Sequence, residues 1–357
     1  MEAIHSAQDI SANWLTEVLR EHSSLNSTVT EVIVEPIGVG VGLLSEVNRL
    51  HITYAAKEDL PTTMIAKLAS LSENRELARM LDFYTREVNF YRHMGDSTRL
   101  NVPRCYFAAI DPTSYDYTLL IEDLGDVVTG DQLVGASEPE VRLAVSTIAG
   151  LHADYWGKTT DPGFAWMFDM SAREHIEAGR DMIYLPSIEP TFTNFGHLFD
   201  DNRKHILSTV GDQLVDLWMP SRTNDLTFIH GDYRQDNVLF EKNASDVLVF
   251  DWQTFCVGEG IFDIGYFMCQ SVDSDRRQQI DQEVVRLYVD TLASLGIQYS
   301  FDQAWADYRR TILCCLVYAI VDTGTLDTGN DRGRQLAECT MSRNLRAIED
   351  LDCMSLL

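Results

Sequence analysis

Hydrophobic residues in the first third of the chain recur with the period of β-strands. In residues 46–54, Leu50, Ile52 and Tyr54 alternate with polar neighbours, which is the pattern of a strand with one buried face. The polar stretch from Lys57 to Pro61 then indicates a turn. The pattern predicts strands over Val29–Ile37, Glu46–Tyr54, Thr63–Ala69, Cys105–Ile110 and Tyr117–Glu122.

Helical periodicity is limited in this region and dominates later. It predicts a short helix over Ser11–Arg20 and one long amphipathic helix over roughly Glu73–Met94. Later helices are predicted over Val141–Trp156, Ile280–Leu295 and Ala304–Val321, and a β-rich island at Phe228–Phe250 interrupts this helical region.

This order of elements predicts an α+β fold with two lobes. Residues 1–124 would form a small antiparallel sheet that carries one long helix. Residues 125–357 would form a larger, mainly helical lobe with one embedded hairpin, and the boundary is placed near Leu124. We expect a ligand to bind in the cleft between two such lobes.

Composition excludes several classes of partner. The formal net charge of −27 argues against nucleic acid and anionic membranes, because both are bound by clustered Lys and Arg. The longest apolar run, Ile312–Val321, is too short to cross a bilayer. The seven cysteines include no Cys-x-x-Cys spacing. That pattern argues against zinc and, with no signal-peptide pattern at the start, favours the cytoplasm.

Acidic residues are concentrated between Asp111 and Glu140, where eight Asp or Glu occur without a Lys or Arg. The stretch is typical of a solvated surface that aids solubility. An acidic rim that attracts a cationic substrate is the alternative.

The strongest chemical signal is "FIHGDYRQDNVLF", followed by "VLVFDWQ". Asp232 and Asn237 follow one apolar strand, and Asp251 ends the next. Phosphoryl transfer needs such a set, because one carboxylate orients the attacking hydroxyl while an amide oxygen and a second carboxylate hold Mg²⁺. Asp and Asn are also common in ordinary turns, which is the structural alternative.

"HGDYRQDN" and "FDWQ" resemble the catalytic and metal loops of the aminoglycoside-phosphotransferase superfamily. That group includes choline kinases, homoserine kinases and the ecdysteroid-kinase-like proteins, and it shares the protein-kinase fold. "IAGLHADYWG", at Ile148–Gly157, is similar to bacterial members near the ecdysteroid-kinase-like branch. The resemblance extends from Ile37 to about Gln270 and is specific in the loops.

The resemblance implies a kinase that uses ATP and Mg²⁺ and has an alcohol on a small molecule as acceptor. It makes Asp232 the catalytic base, with Asn237 and Asp251 as Mg²⁺ ligands. Asp263, in "GIFDIGYF", would brace the catalytic loop, a role compatible with a plain helix N-cap. His230 would pack structurally against the metal loop.

A Lys–Glu pair is predicted in the first lobe. On the long helix, Glu87 shares an apolar row with Met80, Tyr84 and Tyr91, so its carboxylate needs a cation when it is buried. Lys67, midway along the third strand in "MIAKLAS", is the expected partner. Kinases use this pair to hold a lysine on the nucleotide phosphates. Glu76 is a competing carboxylate on the same helix but lies off the row.

Other nucleotide contacts are predicted in the first lobe. Gly38, Gly40 and Gly42 lie between two predicted strands, where glycines let backbone N–H groups approach phosphates. Their spacing differs from the protein-kinase pattern, and a simple hairpin turn is the alternative. Ser45 would assist this loop. The resemblance also implies that the backbone of Glu122 to Leu124 receives the adenine edge.

The acceptor is the least determined feature. Eight aromatic residues of the second lobe would form either core or an apolar acceptor pocket: Trp156, Phe164, Trp166, Phe168, Tyr184, Phe192, Phe195 and Phe199. A nucleotide-binding pseudokinase, a protein kinase and a choline or aminoglycoside kinase are the alternative functions. A protein kinase is disfavoured because only about a dozen residues separate Asp251 from Asp263. The sequence does not indicate the oligomeric state.

Overall fold

The protein forms two compact units in the computed structural model, which describes residues 2–37, 44–72, 74–125, 130–220, 225–240, 246–324 and 331–357. The first unit comprises Met1–Val127 together with the short segment Phe250–Thr254. The second unit comprises Val128–Val249 and Phe255–Leu357. The chain therefore leaves the second unit for five residues that include Asp251 and then returns to it.

A five-stranded antiparallel sheet is the centre of the first unit among its described residues, with the strand order β1-β2-β3-β5-β4. The strands are β1 Val29–Ile37, β2 Ser45–Tyr54, β3 Thr63–Ala69, β4 Cys105–Ile110 and β5 Tyr117–Glu122. All five predicted strands are confirmed, and only the start of β2 differs, by one residue.

One face of this sheet forms the apolar core of the first unit. Met64, Ala66 and Leu68 of β3 are fully buried and belong to a core cluster with Leu15 and Val18 of helix α1, Ala12–His22. Because side chains alternate along a strand, Lys67 lies on the opposite face of β3. β3 pairs with β2 on one side and β5 on the other, so the strand that carries Lys67 is held at both edges.

The predicted long helix over Glu73–Met94 is wrong. The chain instead forms α2, Asn74–Met80, and α3, Phe83–His93, separated at Asp82, whose φ of 56° lies in the left-handed region. Met80 consequently lies on a different helix from Glu87 and is 44% exposed. The hydrophobic period continues across the break because each short helix buries one face. The left-handed conformation of a single Asp does not change the spacing of the apolar residues, so the sequence pattern does not reveal it.

The second unit is mainly helical. Its helices are α4 Glu138–Tyr155, α5 Arg173–Gly179, α6 Leu185–Phe195, α7 Asp201–Trp218, α8 Ile261–Ser271, α9 Ser274–Ser294, α10 Phe301–Cys314, α11 Leu316–Gly324 and α12 Asp331–Asp350. A π-helical turn, Arg180–Tyr184, joins α5 to α6. The helix predicted over Ala304–Val321 is therefore two helices, α10 and α11, which meet at Cys315.

Two short β-pairs lie among these helices. β7, Val238–Phe240, and β8, Val247–Val249, form the predicted hairpin. β6, Leu226–Ile229, pairs instead with β9, Cys256–Glu259, a strand beyond the predicted island. The observed order of β-rich and helical regions confirms the predicted α+β class.

Carboxylates of the acidic stretch have local partners wherever the structure describes them. Asp116 pairs with Arg75, Asp123 with Arg49 and Asp131 with Arg332. The remaining described ones bind main-chain or arginine N–H groups: Asp111, Glu122, Glu138 and Glu140. Every carboxylate that the structure describes in this stretch therefore has a hydrogen bond or an ion pair.

Neither a membrane span nor a disulfide is found. No helix among the described residues combines the length and apolar character needed to cross a bilayer. All seven cysteines are described, and all are free thiols.

Candidate active site

Lys67 is at the centre of a charged cluster in the first unit. Its Nζ donates to Glu87 Oε1 at 2.6 Å and lies 2.9 Å from Asp251 Oδ1. The predicted pair of Lys67 with Glu87 is therefore present, and Lys67 binds Asp251 as well. Glu87 is 1% exposed, and Lys67 is 8% exposed. The exposed Glu76, the competing carboxylate, lies on α2 and not on the helix of Glu87.

Opposite charges in this cluster stabilise one another. Burial by itself would lower the pKa of Lys67, but the carboxylates of Asp251 and Glu87 hold that pKa well above its ordinary value. The ammonium is therefore fully charged at neutral pH. A buried lysine charge that is matched by two carboxylates can hold a position without a ligand present.

Asp251 is fixed by packing on α3. Its own φ is 65°, a left-handed conformation that is uncommon outside glycine. Next to it, the ring of Trp252 stacks on Phe90 of α3 with centroids 3.8 Å apart, and the carbonyl of Thr254 accepts a hydrogen bond from Arg86 at 3.5 Å. A strained backbone that is held by its surroundings is common at functional sites.

A second cluster surrounds the "HGDYRQDN" loop, within the second unit. The buried strand β6 ends at Ile229, and Gly231, with φ of 81°, turns the chain into the loop. Asp263 then fixes the loop, because its Oδ2 accepts the His230 N–H at 2.8 Å and its Oδ1 accepts the Gly231 N–H at 2.9 Å. Asp263 is the third residue of α8, whose N-cap is Gly260, so it braces the loop as predicted and is not an N-cap.

His152 supports Asp263 from α4. Its Nε2 lies 3.2 Å from Asp263 Oδ2, its Nδ1 lies 2.9 Å from the Tyr288 hydroxyl, and both His152 and Asp263 are fully buried. His152 lies within the "IAGLHADYWG" motif, and its role was not predicted from the sequence. His230 is also fully buried, and its Nδ1 accepts the Asp232 N–H at 3.3 Å, in agreement with a packing role.

The Asp232 carboxylate is held from several sides. Oδ2 accepts from Asn237 Nδ2 at 2.9 Å, and Oδ1 accepts from the Tyr266 hydroxyl at 2.7 Å. Arg234 Nε lies 3.3 Å from the same Oδ1. Because its partners lie on both the loop and α8, the carboxylate has a fixed direction while it stays partly exposed.

Sequence reasoning missed two of these partners. Arg234 lies inside the quoted loop, so its proximity to Asp232 could have been proposed. Tyr266 follows Asp263 by three residues on α8 and therefore shares its helix face. That spacing is the signal by which Tyr266 could have been found.

The structure describes only some of the other residues that were predicted to contact the nucleotide. Gly38, Gly40 and Gly42 lie outside the described residues. The Ser45 hydroxyl accepts a hydrogen bond from the Tyr117 hydroxyl at 2.7 Å. Glu122 ends β5, and its side chain accepts the Arg104 N–H at 3.2 Å. The adenine contact assigned to Glu122 and Leu124 stays a prediction.

The aromatic residues singled out in the second lobe have different partners. Phe164 contacts Phe228, Trp156 contacts Tyr299, and Phe168 stacks on His175. Tyr184, Phe195 and Phe199 are buried. The ring beside Asp232 is instead that of Tyr266, on a different helix.

The chain matches a known protein family. The sequence profile of the ecdysteroid kinase-like family matches residues 40–298, which is more than half of the chain. None of the curated proteins searched matches the chain significantly.

Solved structures of low sequence identity have the same fold. A choline kinase from Cryptosporidium parvum Iowa II is 12% identical, with a TM-score of 0.55 over 97% of this chain and 96% of that one. A type I macrolide 2'-phosphotransferase is 15% identical, with a TM-score of 0.53 over 96% and 99% of the two chains. An amicoumacin kinase, solved with AMP-PNP and Ca²⁺, is 12% identical, with a TM-score of 0.52 over 87% of each chain.

These likenesses confirm the predicted protein-kinase-like fold. The chain belongs to the ecdysteroid kinase-like family.

Proposed function

We propose that the protein transfers the γ-phosphate of ATP to a hydroxyl group of a small molecule. The observation that carries the proposal is the Lys67 ammonium, which is buried and paired with both Glu87 and Asp251. Kinases use such a lysine to hold nucleotide phosphates. We assign the same role to Lys67, with Glu87 fixing its position.

The nucleotide would be bound by residues 1–124, and residues 125–357 would supply the catalytic loop and the acceptor site. Gly38, Gly40 and Gly42, with Ser45, would cover the phosphates. The backbone from Glu122 to Leu124 would receive the adenine. AMP-PNP in the structure of the related amicoumacin kinase supports an adenine nucleotide as the donor.

Asn237 and Asp251 are the proposed Mg²⁺ ligands. The Asn237 side-chain N–H₂ donates to both the carboxylate and the carbonyl of Asp232, so its Oδ1 is the atom available to a cation. Mg²⁺ commonly takes one or two protein oxygens and completes its shell with water and phosphate. An amide oxygen and a carboxylate oxygen are donors of the kind that Mg²⁺ takes, and the ion when bound would neutralise charge on the phosphates.

Asp232 would align the acceptor hydroxyl and receive its proton. Its carboxylate is fixed by Asn237 and Tyr266 and stays partly exposed, as contact with a hydroxyl requires. Asp263 and His152 would act indirectly, by holding the loop.

A protein substrate is disfavoured by the chain that follows Asp251. Within this described stretch, a single turn at Trp252–Thr254 leads into β9, Cys256–Glu259, and α8 begins at Ile261. A protein kinase would carry a long activation segment at this position. The acceptor is therefore proposed to be a small alcohol.

The free thiols of all seven cysteines suit a reducing compartment. We accordingly propose that the enzyme acts in the cytoplasm.

The proposal is tested by a phosphate-transfer screen over alcohol libraries with Mg²⁺ and ATP. Asp232→Asn should lower transfer by roughly 10²–10⁴-fold and leave the affinity for MgATP, measured by calorimetry, nearly unchanged. Asp290→Asn is the matched control, because Asp290 is an exposed carboxylate on α9.

Undiminished transfer by Asp232→Asn would reject its assigned role. MgATP binding by the wild type without transfer to any alcohol would support a regulatory pseudokinase instead.

A further inference from the structure

A tyrosine side chain of α3 occupies the end of the β2–β3 ladder. Ser45 lies opposite Ala69 in the register of these two strands, so Leu44 and Ser70 are the next pair. The Tyr84 hydroxyl stands between the two, because it accepts the Ser70 N–H at 3.1 Å and donates to the Leu44 carbonyl. Tyr84 is fully buried. Helix α3 is therefore bonded to both strands at a single point.

The register shows that this hydroxyl takes the place of a backbone hydrogen bond. The Ile52 N–H donates to the Thr62 carbonyl at 2.8 Å, and this pair continues the same register. Bonded pairs recur at every second residue of an antiparallel ladder. Leu44 lies eight residues before Ile52, so Leu44 and Ser70 fall at a position where two strands normally bond directly. The inserted hydroxyl bonds both groups and adds the helix to the contact.

The bridge lies beside the Lys67–Glu87 pair. Ser70 follows Lys67 by three residues at the end of β3. Tyr84 precedes Glu87 by three residues, so both side chains lie on the same buried face of α3. The hydroxyl bridge consequently fixes the separation of helix and strand, on which the 2.6 Å contact between Lys67 and Glu87 depends.

A second tyrosine holds the same end of the sheet. The Tyr117 ring of β5 stacks on Tyr84 with centroids 4.2 Å apart and an interplanar angle of 15°. Its hydroxyl donates to Ser45 Oγ at 2.7 Å. Because that oxygen accepts from Tyr117, the Ser45 hydroxyl keeps its own proton for another acceptor, such as a phosphate. The stacked pair of tyrosines therefore holds both Leu44 and Ser45 against α3.

Resting on the nucleotide-binding role proposed above, we infer that Tyr84 is a positioning residue for the phosphates of the donor nucleotide. Its hydroxyl holds α3 against the ends of β2 and β3, so that Glu87 keeps the Lys67 ammonium in place. Tyr84 is buried and acts through these residues. A binding group that is held in place by its supporting residues needs less ordering when the ligand arrives, and it binds more tightly for that reason.

Tyr84→Phe tests this inference, because it removes the hydroxyl and keeps the stacked ring. Tyr54→Phe is the matched control. The Tyr54 hydroxyl also donates to a backbone carbonyl of the β2–β3 hairpin, that of Pro61 at 2.8 Å, but at the opposite end of β2. Calorimetry measures the affinity and the stoichiometry of binding for MgAMP-PNP and for adenosine, which lacks phosphates.

Tyr84→Phe should weaken MgAMP-PNP binding by about 10-fold at unchanged stoichiometry, a loss typical of one charge-assisted contact. Its affinity for adenosine should not change, and Tyr54→Phe should keep the wild-type affinity for both ligands. Each variant should lower the melting temperature by no more than about 4 °C, since one hydrogen bond is lost and the fold is kept.

An unchanged affinity of Tyr84→Phe for MgAMP-PNP overturns the inference, as does an equal weakening by Tyr54→Phe or an equal loss for adenosine. A lower stoichiometry at unchanged affinity overturns it too, because it reports a smaller folded fraction. A wild type that does not bind MgAMP-PNP rejects both this inference and the proposed function.

The remaining outcomes separate the two proposals. Weaker MgAMP-PNP binding by Tyr84→Phe, with no phosphate transfer from wild type to any alcohol, supports the role of Tyr84 and rejects the kinase function. Transfer by wild type with unchanged nucleotide affinity in Tyr84→Phe does the reverse.

Discussion

Asp281 and Asp322, two carboxylates of the second unit, have the same raised pKa of about 6 in different surroundings. Burial is the main cause of the shift for both. Asp281 accepts the Tyr308 hydroxyl at 2.6 Å and pairs with Arg277, which also binds Asp350. Asp322 has neither a hydrogen bond nor an ion pair from the described residues.

The difference lies in the partners of each carboxylate. A raised pKa is common to buried ion networks and to catalytic sites, so it does not identify either one. What distinguishes the two regions is whether the partners of the charge are present within the protein. The Asp281 carboxylate has both a hydrogen bond and an ion pair, whereas the Asp322 carboxylate has neither from the described residues, and the nearby Arg234 is paired with Asp232.

The largest predicted effect on stability is at Asp281, in the ion pairs around Arg277. Asp281→Asn leaves Arg277, which is 1% exposed, with one carboxylate instead of two. Breaking a buried ion pair in this way should cost about 3 kcal/mol in the free energy of unfolding. Urea denaturation measures the loss, and phosphate transfer per folded molecule should not change. A large loss of transfer in this variant would contradict the separation of the two regions.

The opposite sign is expected on substitution of Asp322, because Arg234 keeps its ion pair with Asp232 and no buried cation loses a partner. Its folded-state pKa is raised to about 6 from 3.8, so the charged form destabilises the folded protein above pH 6 and this cost disappears as the pH falls toward 4. Asp322→Asn should therefore stabilise the protein by about 2 kcal/mol at pH 7.5.

The gain should vanish near pH 4. Urea denaturation of wild type and Asp322→Asn at both pH values checks the sign. An equal gain at pH 4 and pH 7.5, or a loss at pH 7.5, would contradict the view that Asp322 is an uncompensated charge.

The smallest predicted difference concerns the hydrogen bond from a tyrosine hydroxyl to an aspartate, which is present in both regions. Tyr266→Phe removes the donor to Asp232, and Tyr308→Phe removes the donor to Asp281. Each should lose roughly 1.5 kcal/mol of stability, since each bond is to a charged acceptor. Only Tyr266→Phe should also lower kcat, by about 10-fold, because it loosens the catalytic carboxylate.

Denaturation and steady-state kinetics on both variants give the comparison. Equal activity of the two phenylalanine variants would show that Tyr266 does not position Asp232.

Features that depend on local patterns were predicted well. The alternation of apolar residues located the five strands of the first sheet, and Lys67 lies midway along one of them, as predicted. The row of Tyr84, Glu87 and Tyr91 marked the buried face of α3, and the partner of Glu87 followed from the cost of a buried carboxylate.

Features that depend on single backbone conformations were missed. The break at Asp82 and the division of α10 from α11 leave the hydrophobic period intact, so one long helix was predicted in each place. The pairing of β6 with β9 also escaped prediction, because strand partners are chosen by packing across the chain.

The sequence by itself determined the fold class, the composition of the proposed catalytic loop and the Lys67–Glu87 pair, because periodicity and loop spacing are local properties of the chain. Only the tertiary structure brought Tyr266 onto Asp232 and Asp322 into the same neighbourhood. Hydration and charge partners fix the state of a carboxylate, and both are set by residues far away along the chain. The raised pKa of Asp322 is for that reason a property of the folded protein.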